Sequence, residues 1–343
     1  MKVNVYAQST FYDHERDVLK AIYNGIKKIE IPDSDPLVQK TVKHFNKTQG
    51  KGFGVNYIYD ERCKGKEDLA VFIGSWKPNR KNLHHQVRTE IANSNTNFLC
   101  IETPLLGRRM FQRNAQYRIG INGFLAGDAI FTDEIDYPGI RLRKQNIVYE
   151  GWKKQRGDKI IVALQLNGDA SLRGMDINHW CISTINKIRT QTDRPIEIRM
   201  HPGVSDKGID DHLPLYKYLA FENPKDVKLV SGRDLPWEDH ILDAHCVVAY
   251  TSGLSVDAVL NGIPVIAVDM GNFTYNISSN SLCDIENPLM LDETKIQQWL
   301  YNLSFCQWSV EEMEDGTAWR HLKPLVEKII SEEKNEQNSN IVP

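Results

Sequence analysis

The chain predicts an α/β fold in two domains, each built on an open, mostly parallel sheet. Three observations lead there. The 343 residues exceed the usual size of a single domain. Apolar strand-length runs alternate with helix-length stretches along both halves. Residues 244–268 also read as a complete βαβ unit: a buried strand (Cys246 to Tyr250), a turn (Thr251-Ser252-Gly253), a short helix (Ser255 to Asn261) and a second strand (Pro264 to Val268). Gly262 suits the left-handed residue that stops the helix, and Pro264 opens a strand where its missing N–H matters little.

Taken in order, the first half opens with a strand at 3–7 and an amphipathic helix at 15–28. Strands follow at 55–59 and 69–73, a helix at 83–93 and a strand at 97–102 that leaves Glu102 at its carboxyl end. A loop from Thr103 leads to 116–127, rich in Gly and Asn. The chain then turns polar and basic, and the domain boundary is expected near 150–157. The second half restarts with Lys159–Leu166, apolar enough for a strand buried on both faces. The polar loop Asn167–Gly174 and a helix at 177–190 come next. A strand at 195–200 ends in His201-Pro202-Gly203, a strand at 227–230 and a helix at 236–243 follow, and then the βαβ unit. Helices at 294–302 and 319–332 close the chain before a charged, Asn-rich tail.

Composition excludes several classes. No window approaches the ~18 apolar residues of a membrane span, and the alternating N-terminus lacks a signal peptide's apolar block. Six cysteines, at 63, 100, 181, 246, 283 and 306, form no CxxC pair. The expectation is a reduced, cytoplasmic protein without structural zinc. GxxxxGK[ST], GxGxxG after the first strand, and GxSxG are all absent. Asp33-Ser-Asp35 matches a metal-binding DxD only formally, between two prolines, and no metal is expected.

Charge is uneven. Residues 1–150 hold 23 Lys and Arg against 17 Asp and Glu, whereas the remainder hold 19 against 28. Within 77–118, Lys77, Arg80, Lys81, Arg88, Arg108, Arg109, Arg113 and Arg118 face only Glu90 and Glu102, with His84 and His85 among them. A solvated face is one reading. A surface for an anionic substrate is the other.

Ligands of open α/β sheets bind outside the strands' carboxyl ends. In the second half three such ends supply Gly168 and Arg173, then Arg199 and His201, then Ser252, Gly253 and Ser255. An arginine, an imidazole and helix-start N–H groups together suit a diphosphate. Taken singly, Arg173 also fits the surface of a helix start, and His201 a turn.

His201-Pro202 after a strand, with the run Tyr250–Val265, resembles the nucleotide-sugar domain of GT-B glycosyltransferases, nearest the capsule-type branch that transfers Kdo and sialic acid. The likeness covers 159–270. It implies two Rossmann-like domains with parallel sheets facing a central cleft: an acceptor domain at 1–152, a donor domain at 153–318, and a closing segment at 319–343 whose helix crosses back. It also implies a metal-independent enzyme whose donor, a UDP- or CMP-linked sugar, is a substrate rather than a cofactor. The segments Phe72–Lys77, Ile101–Arg108, Tyr117–Gly123, Cys306–Glu312 and Gly316–Trp319 resemble glycosyltransferase-like proteins of tailed phages. That likeness implies a phage-encoded protein in the host cytoplasm, with 5-hydroxymethylcytosine in double-stranded DNA as acceptor, bound through the N-terminal domain. The sequence departs from the β-glucosyltransferase type of such enzymes along its whole length. Two alternatives stay open: a capsular or lipopolysaccharide glycosyltransferase, and a non-catalytic nucleotide-sugar binder.

On this reading Arg173, Arg199, His201 and the 252–255 helix start stabilise the departing phosphate. Glu102, or secondly Asp128, accepts the acceptor's proton. Lys77, Arg108 and Arg113 contact acceptor phosphates, Asn122 lets backbone approach the substrate, and Trp76 and Tyr117 stack on a flipped base.

Overall fold

The computed structural model describes residues 1–31, 54–62, 67–77, 80–108, 113–133, 135, 139–204 and 211–339. Asp33, Asp35, Cys63, Arg109 and residues 136–138, at the start of the polar, basic stretch before the expected boundary, lie outside them. The strands are β1 (Lys2–Ala7), β2 (Gly54–Tyr59), β3 (Leu69–Ile73), β4 (Asn97–Glu102), β5 (Gln116–Ile121), β6 (Lys159–Ala163), β7 (Ile196–Arg199), β8 (Val227–Val230), β9 (Ala244–Ala249), β10 (Val265–Ala267) and β11 (Gln307–Ser309). They form two sheets, ordered β11-β5-β4-β3-β1-β2 and β10-β9-β6-β7-β8. The chain divides into two compact units. One comprises 1–124, 128–135 and 305–343; the other comprises 125–127 and 136–304. The return to the first unit thus begins at Phe305 rather than at 319.

In the first unit β1 to β4 are mutually parallel, and every residue of β3 is buried. β5 is antiparallel to β4, setting Glu102 opposite Arg118 and Leu99 opposite Ile121. β11 pairs antiparallel with β5. Helix Asp13–Glu30 covers the sheet with Val18, Leu19, Ile22 and Ile26, and Glu15 caps its start by accepting the Tyr12 N–H at 2.9 Å. A Cβ at Gly25 would lie 1.8 Å from the Met313 carbonyl oxygen, so this helix meets helix Val310–Glu314 backbone to backbone. Ser309 and Glu312 close a reciprocal capping box on the latter (3.2 and 3.0 Å). Trp319, on the closing helix Thr317–Ser339, is fully buried and donates to Glu30 at 2.9 Å.

In the second unit all five strands are parallel. Their apolar runs bury both faces, against helix Ile177–Arg189 and its neighbours on one side and against Val259, Ile263 and Leu300 on the other. The expected βαβ unit is present: β9 and β10 pair in register Val247↔Val265, joined by helix Leu254–Leu260. Gly262 is left-handed (φ 71°), and its missing Cβ leaves room for the Gly151 carbonyl. Among the described residues no helix is long and apolar enough to cross a membrane, and no disulfide joins the described cysteines.

Candidate functional site

The carboxyl edge of the second sheet gathers three neighbouring loops, because β9, β6 and β7 are adjacent. Gln165, just past β6, ties two of them together. Its Oε1 accepts the Thr251 N–H at 3.1 Å, and its Nε2 donates to Ser171 Oγ at 2.8 Å and to Thr251 Oγ1 at 3.1 Å. Asp169 caps the turn Ala170–Leu172, accepting the Ser171 N–H at 3.0 Å. The turn releases Arg173 in the left-handed region (φ 49°), with its guanidinium on the carboxylate of Asp269. Asp269 also accepts the Gly271 N–H at 2.8 Å, and Tyr250 hydrogen-bonds to it. Burial, then that contact, pushes the Tyr250 phenol up from its ordinary value. Gly168 (φ 69°) has open space where a Cβ would stand.

His201 follows β7. Its Nδ1 accepts the Gly203 N–H at 3.0 Å, which places the ring proton of the neutral imidazole on Nε2. At the start of helix Leu254–Leu260 the Ser252 hydroxyl accepts the Leu254 N–H (3.4 Å), and the Ser252 carbonyl accepts that of Ser255 (3.2 Å). The Ser252 and Gly253 amides precede these bonds and donate to nothing else among the described residues.

Two of the residues expected here belong to the fold instead. Arg199 is 5% exposed; it donates to the carbonyls of Leu235 (2.9 Å) and Gly232 (3.3 Å) and to His240 Nδ1 (3.1 Å). Its position on the last residue of β7 was legible, but its direction into the layer beneath was not. Ser255 is fully buried and binds the Ser252 carbonyl and Asn272 Oδ1 (2.8 and 2.7 Å). Sequence reasoning passed over Gln165, Tyr250 and Asp269. Asp269 carried a usable signal, a carboxylate directly past a strand's carboxyl end.

In the first unit Glu102 ends β4, half-buried. Its carboxylate accepts the N–H groups of Ser75 and Thr103 and lies in the field of Arg88 and Arg118. Burial lowers both arginines from their ordinary values and Glu102 opposes that. Arg88, 6% exposed, donates to the Ser75 carbonyl at 3.1 Å and lies 5.2 Å from the centre of the Phe11 ring. Lys77 and His85 belong to the same edge: burial, then His84, Arg88, Lys77 and Arg80, push the His85 imidazole down to about 4.

Asn122 and Asp128 sit elsewhere. Because β5 runs backwards, its end lies beside Phe98 and Leu99, toward the amino edge of the parallel strands. There Asn122 (φ 59°) is a turn residue, accepting the Phe98 N–H at 2.9 Å and donating to Asn97 at 2.6 Å. Asp128 accepts the Phe124 N–H at 3.3 Å in the same turn region. Trp76 packs edge-on against Phe72, Phe98 and Phe124, with centroids 5.2–6.3 Å apart. Its ring is half-buried. Arg108 is exposed, and exposed Arg113 lies 3.7 Å from Asp17. No group of His, Cys, Asp and Glu among the described residues has the arrangement of a metal site.

No protein-family model matches the chain, and no curated protein matches it. Among solved structures, the β-Kdo 2,7 transferase of KpsC from Thermosulfurimonas dismutans is 14% identical, over 93% of this chain and 99% of that one, with a TM-score of 0.49. The β-Kdo 2,4 transferase of the same KpsC is 10% identical, over 80% of this chain and 90% of that one, with a TM-score of 0.47. The UDP-GlcNAc 2-epimerase of Methanocaldococcus jannaschii is 10% identical, over 95% of this chain and 99% of that one, with a TM-score of 0.32.

Proposed function

We propose that the chain is a glycosyltransferase of the GT-B kind, moving a sugar from a nucleotide-sugar to an acceptor hydroxyl. The observation that carries this is the carboxyl edge of the second sheet, where Arg173, the Nε2–H of His201 and the amides of Ser252 and Gly253 come from three adjacent strand ends. Such a set of donors suits a diphosphate better than any other common ligand group. Gly168 adds backbone without a side chain beside it. Arg199 and Ser255 act only through the framework, by holding the loops.

In the reaction, the acceptor oxygen bonds to the anomeric carbon while that carbon's bond to the phosphate oxygen breaks. The electron pair leaves with the nucleotide, whose growing negative charge meets Arg173 and His201. The acceptor proton passes to a carboxylate, for which Glu102 is preferred over Asp128 because Glu102 ends a parallel strand at the carboxyl edge. Lys77 and Arg108 serve the acceptor, whereas Trp76, Arg113 and Asn122 have partners within the unit.

The acceptor suggested first by the sequence is 5-hydroxymethylcytosine in duplex DNA; a capsular or lipopolysaccharide glycan is the second. The distribution of cations favours the glycan. A duplex needs a broad exposed basic face, but Arg88 is buried and Arg113 pairs with Asp17. Mass spectrometry of hydroxymethylcytosine DNA and of acidic oligosaccharides, each incubated with UDP- and CMP-sugars, tests both. Added sugar mass on either acceptor, lost in Arg173→Ala, supports transfer. Donor neither bound nor consumed overturns it.

A further inference from the structure

We propose that the carboxyl edge of the first sheet holds a site for one compact oxyanion, a phosphate or carboxylate group, formed by Lys77, Arg80, His84 and His85 around Arg88. In the glycosyltransferase reading, on which its biological meaning rests, this is where the acidic group of a glycan acceptor sits.

The first ground is charge without counter-charge. Other cations of the unit do meet carboxylates: Arg62 lies 2.7 Å from Glu90, and Lys323 lies 2.9 Å from Glu30. Lys77, Arg80, His84 and His85 have no carboxylate partner among the described residues, and every charge acting on His85 is basic. The carboxylates that reach this edge, Glu102 and Glu15, act on Arg88. Like charges brought together at a partly buried edge are unfavourable unless an anion joins them.

The second ground is unmet hydrogen-bonding capacity. The Nδ1 of His85 and the Nε of Arg88 are both buried without a partner. Native structures leave few such atoms, and each asks for a reason. The rest of the Arg88 side chain is fixed, by Ser75 and by Phe11. Gly74 (φ 84°) makes room for it: a Cβ there would stand 2.8 Å from Nη1.

The third ground is the helix Leu83–Ala92 itself. Its first turn carries no acidic residue, and its N-cap, Asn82, makes no side-chain capping bond. The positive end of the helix therefore adds to the cluster instead of being neutralised. The two imidazoles lie in that turn with centroids 4.4 Å apart and planes inclined at 49°, and His84 Nδ1 is 3.5 Å from Thr10 Oγ1. The Arg80 N–H donates to the Lys77 carbonyl at 3.0 Å, and both of these cations act on His85. All of this surrounds Ser75 and Glu102, so a bound acidic group lies beside the carboxylate assigned to the acceptor proton.

The test is titration of the full chain with inorganic phosphate, and separately with glucuronate, followed by calorimetry and by the histidine ring signals in NMR. Saturable binding of either anion that shifts the His84 and His85 signals, and that weakens at least tenfold in the Lys77→Ala/Arg80→Ala double variant, is the expected result. Phosphate preference marks a phosphorylated acceptor and glucuronate preference an acid sugar. Lys154→Ala/Lys187→Ala, an equal charge change on exposed residues of the other unit, leaves the binding unchanged. Absence of saturable binding overturns the proposal, as does binding that leaves both histidine signals in place or survives the double variant. No donor is present, so a failure of sugar transfer leaves this measurement standing, and the converse also holds.

Discussion

Arg173 and Asp269 form an ion pair across the carboxyl edge of the second sheet, joining the loop after β6 to the loop after β10. The arginine side chain is 40% exposed and the carboxylate 16%. Asp269 is itself fixed by the Gly271 N–H and by Tyr250. The pair therefore presents a guanidinium at a set place in a left-handed turn, rather than a free surface arginine.

Arg173→Ala should lower kcat/KM for the nucleotide-sugar by about 10²–10³-fold, the usual consequence of removing one donor from a charge-stabilising set. Stability should change by less than about 1 kcal/mol, because the pair is partly solvated. Asp269→Asn keeps the arginine and loosens its position, so a smaller loss, about tenfold, is expected. Steady-state kinetics with a thermal melt on each variant checks both; equal losses in the two would assign Asp269 a direct role.

The buried network Glu197–His240–Arg199 is a framework element. His240 Nδ1 faces an arginine, which can only donate, so the ring proton sits on Nε2 and points to Glu197. Burial opposes the Glu197 charge, but hydrogen bonds from Lys228 and His240, and the Lys159 charge, hold the carboxyl below its usual range. The stability this contributes is present above the unfolded carboxylate value and is lost as pH falls through the folded one. His240→Ala should cost about 2–3 kcal/mol, since it removes one hydrogen-bond partner from each of a buried carboxylate and a buried guanidinium. Urea unfolding at neutral pH measures it.

The framework was readable wherever one residue's type decides its environment. Ile160, Ile161 and Val162 in unbroken succession can only be a doubly buried strand, and Gly262 marks a helix end by itself. Direction and partnership were not readable. Nothing in Gln116–Ile121 says that the strand runs against β4, yet that reversal moves Asn122 and Asp128 away from Glu102. Ser255 and Arg199 have the residue types of a phosphate site, but their partners, Asn272 and Leu235, lie far along the chain. β11 is three residues long, too short for any period, so nothing in the sequence marks where the chain rejoins the first sheet. The His84–Arg88 cluster was visible as charge, whereas which carboxylates reach Arg88 and which cations are left without one needed coordinates.

Acid should weaken the fold through His85. The imidazole titrates near 6.5 in the unfolded chain and is pushed down to about 4 in the folded one, first by burial and then by the neighbouring basic groups. Between those values the unfolded chain binds more protons, so stability falls as pH drops through the window and the contribution vanishes above it. His84, His240 and His245 shift in the same direction. The informative curve is therefore the difference between wild type and His85→Asn, from urea unfolding between pH 4 and 7. A flat difference would mean that His85 keeps an ordinary imidazole value.

Gly74 and Gly107 separate strain from displacement. Both are left-handed (φ 84° and 66°), so an alanine at either meets the same backbone penalty, about 1 kcal/mol. At Gly107 nothing lies within 4 Å of the added carbon; at Gly74 it meets Nη1 of Arg88 at 2.8 Å and Cζ and Nη2 at 3.0 Å. Arg88 must then leave, breaking its bond to the Ser75 carbonyl and uncovering a charge that Phe11 and Glu102 now flank. Gly74→Ala should accordingly cost about 2–3 kcal/mol against about 1 for Gly107→Ala, and should weaken phosphate binding at the His84–His85 edge, while Gly107→Ala should not. Paired urea melts and phosphate titrations on the two variants read the difference. Equal costs would mean that the Arg88 side chain simply swings aside and its position is not fixed by the glycine.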